Sequence, residues 1–274
     1  MKNYKMQNRI TEKFSDLKKQ NRGGFIPFIV AGDPDPETTK QLILDISKRG
    51  ADVIELGVPF SDPVADGVTI QASAERALRN DFGVKEILDL VGEVRVQGCE
   101  TPIILFSYFN PILQFGLENF AEKAKGSGVD GILITDLIPE ESDEFRSILN
   151  ENNLKLILLA APTSSDERLK KICEKASGFI YAVSRAGVTG ARNEMSNEAE
   201  KLVERIRKFT DLPVAVGFGI SNAEQVAETQ KYADAAVGGS AIVAEIIKPE
   251  LNADEVPENF IEKIGEFVGK LLPN

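Results

Sequence analysis

The chain contains no histidine. That absence excludes a Ser-His-Asp triad, a histidine-ligated zinc and a histidine general base. Acid–base chemistry must therefore fall to Asp, Glu, Lys, Tyr or Cys. A surplus of positive charge is also lacking. The formal net charge is -11, which provides neither the basic footprint of a nucleic-acid binder nor a polybasic patch for a membrane surface. No apolar run is long enough to span a bilayer, and the opening MKNYKMQNRITEKF is too polar for a secretory signal; a cytoplasmic protein is the expectation. Cysteine is scarce. Cys99 and Cys173 are far apart and match no metal or redox spacing, so two reduced thiols are expected.

What is present is a regular alternation of short apolar runs and amphipathic stretches. Residues 1–22 read as a polar helix with an apolar stripe at Ile10, Phe14 and Leu17. Strand-like runs follow at 25–31, 52–57, 102–108, 130–136, 154–160, 178–184, 213–219 and 234–240, with helical sequence between them. Eight such alternations in 274 residues are what an α/β (β/α)8 barrel requires. No composition break divides the chain. The expectation is one TIM-barrel domain over 1–274, with the helix of 1–22 packed on it. A doubly wound open sheet is the alternative. It often carries a Gly-rich fingerprint in its first βα turn, and AGDPDP at 31–36 lacks one.

The second strand and its loop, ADVIELGVPFSDPVADG at 51–67, carry the most chemistry. Side chains alternate along a strand, so Val53, Glu55 and Gly57 share one face and Ile54, Leu56 and Val58 the other. If the apolar triplet packs under helices, Glu55 points into the barrel near its C-terminal end. A carboxylate there is costly without partners or a task; an ordinary salt bridge is the competing reading. Asp62 and Asp66 follow in a loop stiffened by Pro59 and Pro63, with Val58 and Phe60 expected as an exposed apolar pair.

Active sites of such barrels lie at the C-terminal ends of the strands. Those ends supply Phe28, Asp33, Phe106, Tyr108, Asn110, Thr135, Asp136 and Tyr181, a mixture of rings and carboxylates suited to a flat, partly apolar ligand. The last three loops, GVTGAR at 187–192, GFGIS at 217–221 and GGSA at 238–241, are Gly-rich. Each alone could be a tight turn. Together on adjacent strands they point to a phosphate site. No strand end carries a lysine for Schiff-base chemistry, since Lys155 lies at the start of its strand. Acid–base catalysis by carboxylates remains.

FIPFIVAGDP, ADVIELGVPFSDPVADG, YAVSRAGVTGAR and GFGIS, in this order, strongly resemble the tryptophan synthase alpha chain family over about Phe25 to Ser240. The resemblance implies a (β/α)8 barrel that cleaves indole-3-glycerol phosphate to indole and glyceraldehyde 3-phosphate. It implies no cofactor and no metal in this chain. It also implies a pyridoxal-phosphate-dependent beta chain as partner, in a heterotetramer of two alpha and two beta chains, with indole passed on to it. Matched by motif, Glu55 is the acid–base glutamate and Asp66 the aspartate that binds the indole N–H. Phe28, Phe106, Tyr181 and Phe218 line the indole pocket. Gly190, Gly219, Gly239 and Ser240 bind phosphate, and Thr189 contacts the aspartate from a closing loop. Val68 stands where the family usually has proline, and Phe106 where it often has a smaller aliphatic residue. Two other readings are weighed. Another phosphate-binding barrel enzyme would leave VPFSDPVADG without a purpose, and a catalytically idle activating subunit would have no need of Glu55 and Asp66.

Overall fold

The computed structural model describes residues 8–183, 192–217, 219–248 and 257–272. Eight parallel strands close into a barrel in sequence order. They are β1 (Gly24–Val30), β2 (Ile54–Gly57), β3 (Ile103–Ser107), β4 (Gly131–Ile134), β5 (Lys155–Ala160), β6 (Ile180–Val183), β7 (Val214–Gly217) and β8 (Ala235–Gly238). Around them run α1 (Arg9–Lys19), α2 (Pro36–Arg49), α3 (Val68–Arg79), α4 (Val84–Val96), α5 (Phe109–Phe115), α6 (Leu117–Ser127), α7 (Asp143–Glu151), α8 (Asp166–Lys175), α9 (Arg192–Ile206), α10 (Ala223–Thr229), α11 (Ser240–Ile246) and α12 (Phe260–Leu271). The acidic stretch after β4 divides: a single 3-10 turn, Pro139–Glu141, precedes α7.

The alternation within the strands sorts side chains into two cores. Ile54 and Leu56 join the outer core between sheet and helices, with Phe25, Leu105, Leu156 and Val216. Val53, Ile26, Ile104, Leu133, Ile157 and Phe179 fill the barrel interior. Val58 belongs to the outer core, which corrects its expected exposure. Its N–H still donates to Phe106 O at 2.8 Å, so the extended geometry of β2 persists one residue further and aims Val58 outward under the helices. Phe60, the other member of that pair, is half-buried, and the exposed large apolar residues of that loop region are Val64 and Val68.

α1 closes the N-terminal end. Its stripe, Ile10, Phe14 and Leu17, plugs the barrel interior, and the Phe14 ring lies 5.5 Å from that of Phe179. Two buried aspartates hold this end together. Asp52 pairs with Arg22 through two contacts of 2.6 and 3.0 Å and accepts the Phe25 N–H. Asp130 accepts from Arg95 at 2.8 Å, Arg9 at 3.2 Å and the Ile103 N–H at 2.9 Å. Removing one partner of a buried pair leaves the other charge uncompensated. Asp130→Ala is accordingly expected to destabilise the fold by about 3–5 kcal/mol. The denaturant midpoint measures this, and an unchanged midpoint would show that the pair contributes nothing net. Asp52 and Asp130 thus fix the bottom of the barrel, the end away from the strand C-termini.

Candidate functional site

Glu55 is buried, at 1% exposure, and lies between Phe28 of β1 and Ile104 of β3 in the sheet register. Its Oε1 has no hydrogen-bond partner. Among the described residues no cation pairs with it. Burial without compensation pushes its carboxyl up to about 8, so the group is mostly protonated at neutral pH. An unpaired acid inside a barrel is expensive and is the usual mark of a functional group.

The aromatic residues named from the strand ends converge around it. The rings of Phe28 and Phe106 meet edge to face, with centroids 5.4 Å apart. A Cβ built on Gly57 would fall 2.7 Å from Phe28 Cζ, and one on Gly217 would fall 2.3 Å from the Tyr181 hydroxyl. These two glycines are where the rings cross the barrel. Tyr181 faces Glu55 closely enough that the glutamate charge adds to burial in holding its phenol well above the ordinary range. Glu55, Phe28, Phe106 and Tyr181 thus lie close together at the strand ends, an acid among rings.

Asp66 reaches the mouth from the β2–α3 loop. Burial pushes it up to about 6, and a hydrogen bond from Tyr108 opposes the shift. Tyr108 also accepts the Ala65 N–H at 2.9 Å, and its ring lies 5.1 Å from that of Phe60. Gln71 Nε2 donates to Asp66 O at 2.7 Å. Sequence reasoning placed Tyr108 at the mouth without a role. Its hydroxyl is the brace of the Asp66 loop, and the only signal was a tyrosine at a strand end. Tyr108→Phe leaves the Ala65 N–H without this acceptor. Losing one such bond is worth up to about 1.5 kcal/mol, so kcat is expected to fall by up to about tenfold. Steady-state assay reads this, and an unchanged kcat would show that the loop stays in place unaided.

After β7, Gly219 adopts a left-handed φ of 64° and is exposed. Gly239 precedes α11, which begins at the exposed Ser240. The first N–H groups of a helix lack intrahelical partners and suit an anion. Gly239 is also confined, since a Cβ there would meet Phe28 Cβ at 3.3 Å. Phe28 therefore spans from the acid to the anion rim. Thr189, Gly190 and Phe218 lie outside the described residues.

A family model described as "Tryptophan synthase alpha chain" matches residues 14–271. The chain is 47% identical over 264 residues to the tryptophan synthase alpha chain of Geotalea uraniireducens, covering 96% of each. It superposes with a TM-score of 0.87 on the tryptophan synthase subunit alpha of Legionella pneumophila, at 36% identity and 97% coverage of both chains. A chain of the tryptophan synthase complex of Pyrococcus furiosus gives a TM-score of 0.80 at 41% identity, covering 91% of this chain and 97% of that one.

Proposed function

Because the chain belongs to the tryptophan synthase alpha chain family, we propose that Glu55 and Asp66 carry its reaction in separate roles. The chain is a lyase of tryptophan biosynthesis. It cleaves indole-3-glycerol phosphate to indole and glyceraldehyde 3-phosphate and works in complex with a beta chain, to which the pyridoxal phosphate belongs. Among the described residues no helix is long and apolar enough to cross a membrane. We place the protein in the cytoplasm, as a single barrel domain.

The observation that carries the assignment of roles is the buried carboxyl of Glu55, whose Oε1 has no hydrogen-bond partner and which burial pushes up to about 8. A protonated acid there donates to indole C3. The ring becomes an indoleninium, whose nitrogen can accept electrons. The Glu55 carboxylate then takes the proton of the hydroxyl on the adjacent glycerol carbon. That C–O bond becomes a carbonyl, the carbon–carbon bond breaks, and its electron pair restores indole. Glu55 ends protonated, ready for another turnover. Asp66, ionised above about 6, faces the ring nitrogen and balances its positive charge. The two carboxyls are held apart in pKa by burial and by Tyr108, which is how one pocket keeps an acid and an anion together.

Phe28, Phe106 and Tyr181 enclose the ring in this reading, and Gly219, Gly239 and Ser240 take the phosphate. Phe218, Thr189 and Gly190 join them by motif alone. Indole release from indole-3-glycerol phosphate, measured with and without a beta chain, tests the whole. The rim is tested by Ser240→Asp, which sets a like charge beside the phosphate. KM is expected to rise about tenfold or more with little change in the fold. An unchanged KM would move the phosphate site elsewhere.

A further inference from the structure

Among the described residues, the barrel mouth holds one buried carboxylate besides Glu55. Asp33 follows β1 and is 1% exposed. It accepts two bonds from Arg76, Nε to Oδ1 and Nη2 to Oδ2, both 2.7 Å, and a further bond from Ser73 Oγ. Both partners lie on α3. Asn80, just past the end of α3, donates to Pro34 O at 3.0 Å. Three bonds from α3, with those of Asn80 beside it, thus tie the helix to the β1 loop.

That helix begins at the residue after Gly67, so its first turn sets the end of the Asp66 loop. Other fixings of α3 are weak. Its N-cap Gly67 supplies no side-chain bond. Its fully buried face is Ser73, Ala74 and Ala77, with Ile70 half-buried beside them, which offers limited apolar area against Phe28, Val30 and Val243. Small side chains let a helix slide. A bidentate carboxylate–guanidinium pair fixes both distance and orientation. Arg76 keeps 31% of its side chain exposed, so the guanidinium is partly solvated and the cost of desolvation falls mainly on Asp33.

We propose that Asp33 is a positioning residue for Asp66: by clamping Ser73 and Arg76 it sets where α3 starts, and hence where the Asp66 carboxylate stands at the barrel mouth. Asp33 itself touches no reacting atom. The inference rests on the assignment of Asp66 made above, and Gln71 on the same helix passes the placement on through its bond to Asp66 O.

The test is a double-mutant cycle on the full chain, read as indole release from indole-3-glycerol phosphate. Asp33→Asn and Ser73→Ala are each made alone and in an Asp66→Asn background. A small misplacement of a catalytic group can cost up to about 10²-fold. Asp33→Asn is expected to lower kcat by at least about tenfold and Ser73→Ala by a few-fold, with KM moving less. Neither change should lower kcat further once Asp66 is Asn, because both act through that carboxylate. Losses that multiply in the double variants, or full kcat in the single ones, overturn the proposal. A merely stabilising clamp predicts the multiplicative result. If Asp33→Asn does not fold, Ser73→Ala, which deletes one hydroxyl, carries the same comparison. Wild-type turnover in Asp66→Asn alone would remove the premise and the inference with it.

Discussion

Glu55→Gln is expected to reduce indole release by at least about 10²-fold, and by as much as about 10⁴-fold, while making the protein more stable at neutral pH. The first effect follows from the amide, which keeps the shape of the acid and cannot deliver its proton to C3. The second follows from linkage. The Glu55 carboxyl is raised to about 8 in the fold, against about 4.3 in an open chain. Between those values the folded chain holds a proton that the unfolded chain has released. The contribution of Glu55 to stability is therefore intact below about 4.3 and declines as pH rises toward 8. A glutamine does not titrate and escapes that penalty, worth a few kcal/mol at pH 7. Thermal or denaturant melts at pH 5 and pH 7 measure the gain, which should be larger at pH 7. Wild-type turnover in the variant would eliminate Glu55 as the acid. A loss of activity accompanied by a loss of stability would mean that the carboxyl is structural.

The alternation Val53, Glu55, Gly57 against Ile54, Leu56, Val58 was readable because a strand has only two faces and the outer one must be apolar. It locates the acid inside the barrel, and the eight strand runs lie within a few residues of their observed ends. The same rule puts Val58 under the helices with Ile54 and Leu56, where it lies; only its second reading, as an exposed loop residue beside Phe60, fails. What pattern could not reach is contact between distant residues. Tyr108 braces Ala65 from 43 positions away, and Arg76 reaches Asp33 across 43 as well. Neither pair leaves a periodic trace, since each is a single polar side chain at the end of an element. The depth of Glu55 was equally hidden. A sequence shows the carboxylate but not how completely it is buried, and that burial raises its pKa. Motif resemblance assigned roles to Thr189, Gly190 and Phe218, which lie outside the described residues.

Asp66→Asn is expected to lower kcat by about 10²–10³-fold, the usual cost of removing one fixed group aimed at developing charge. The amide oxygen can still accept the indole N–H, so ground-state binding should survive and KM should change little. What it cannot do is balance the positive charge that appears on the nitrogen once C3 is protonated. The interaction strengthens only in the transition state, and its loss falls on kcat. The pH profile separates this role from that of Glu55. Asp66 must be ionised, which fails as pH drops below about 6. Glu55 must be protonated, which fails as pH climbs above about 8. The wild-type profile should therefore be a bell between those limits. In Asp66→Asn the acid limb should flatten while the alkaline limb persists, because only one of the two titrating groups has been removed. An acid limb retained in that variant would assign it to another carboxyl and separate Asp66 from the chemistry.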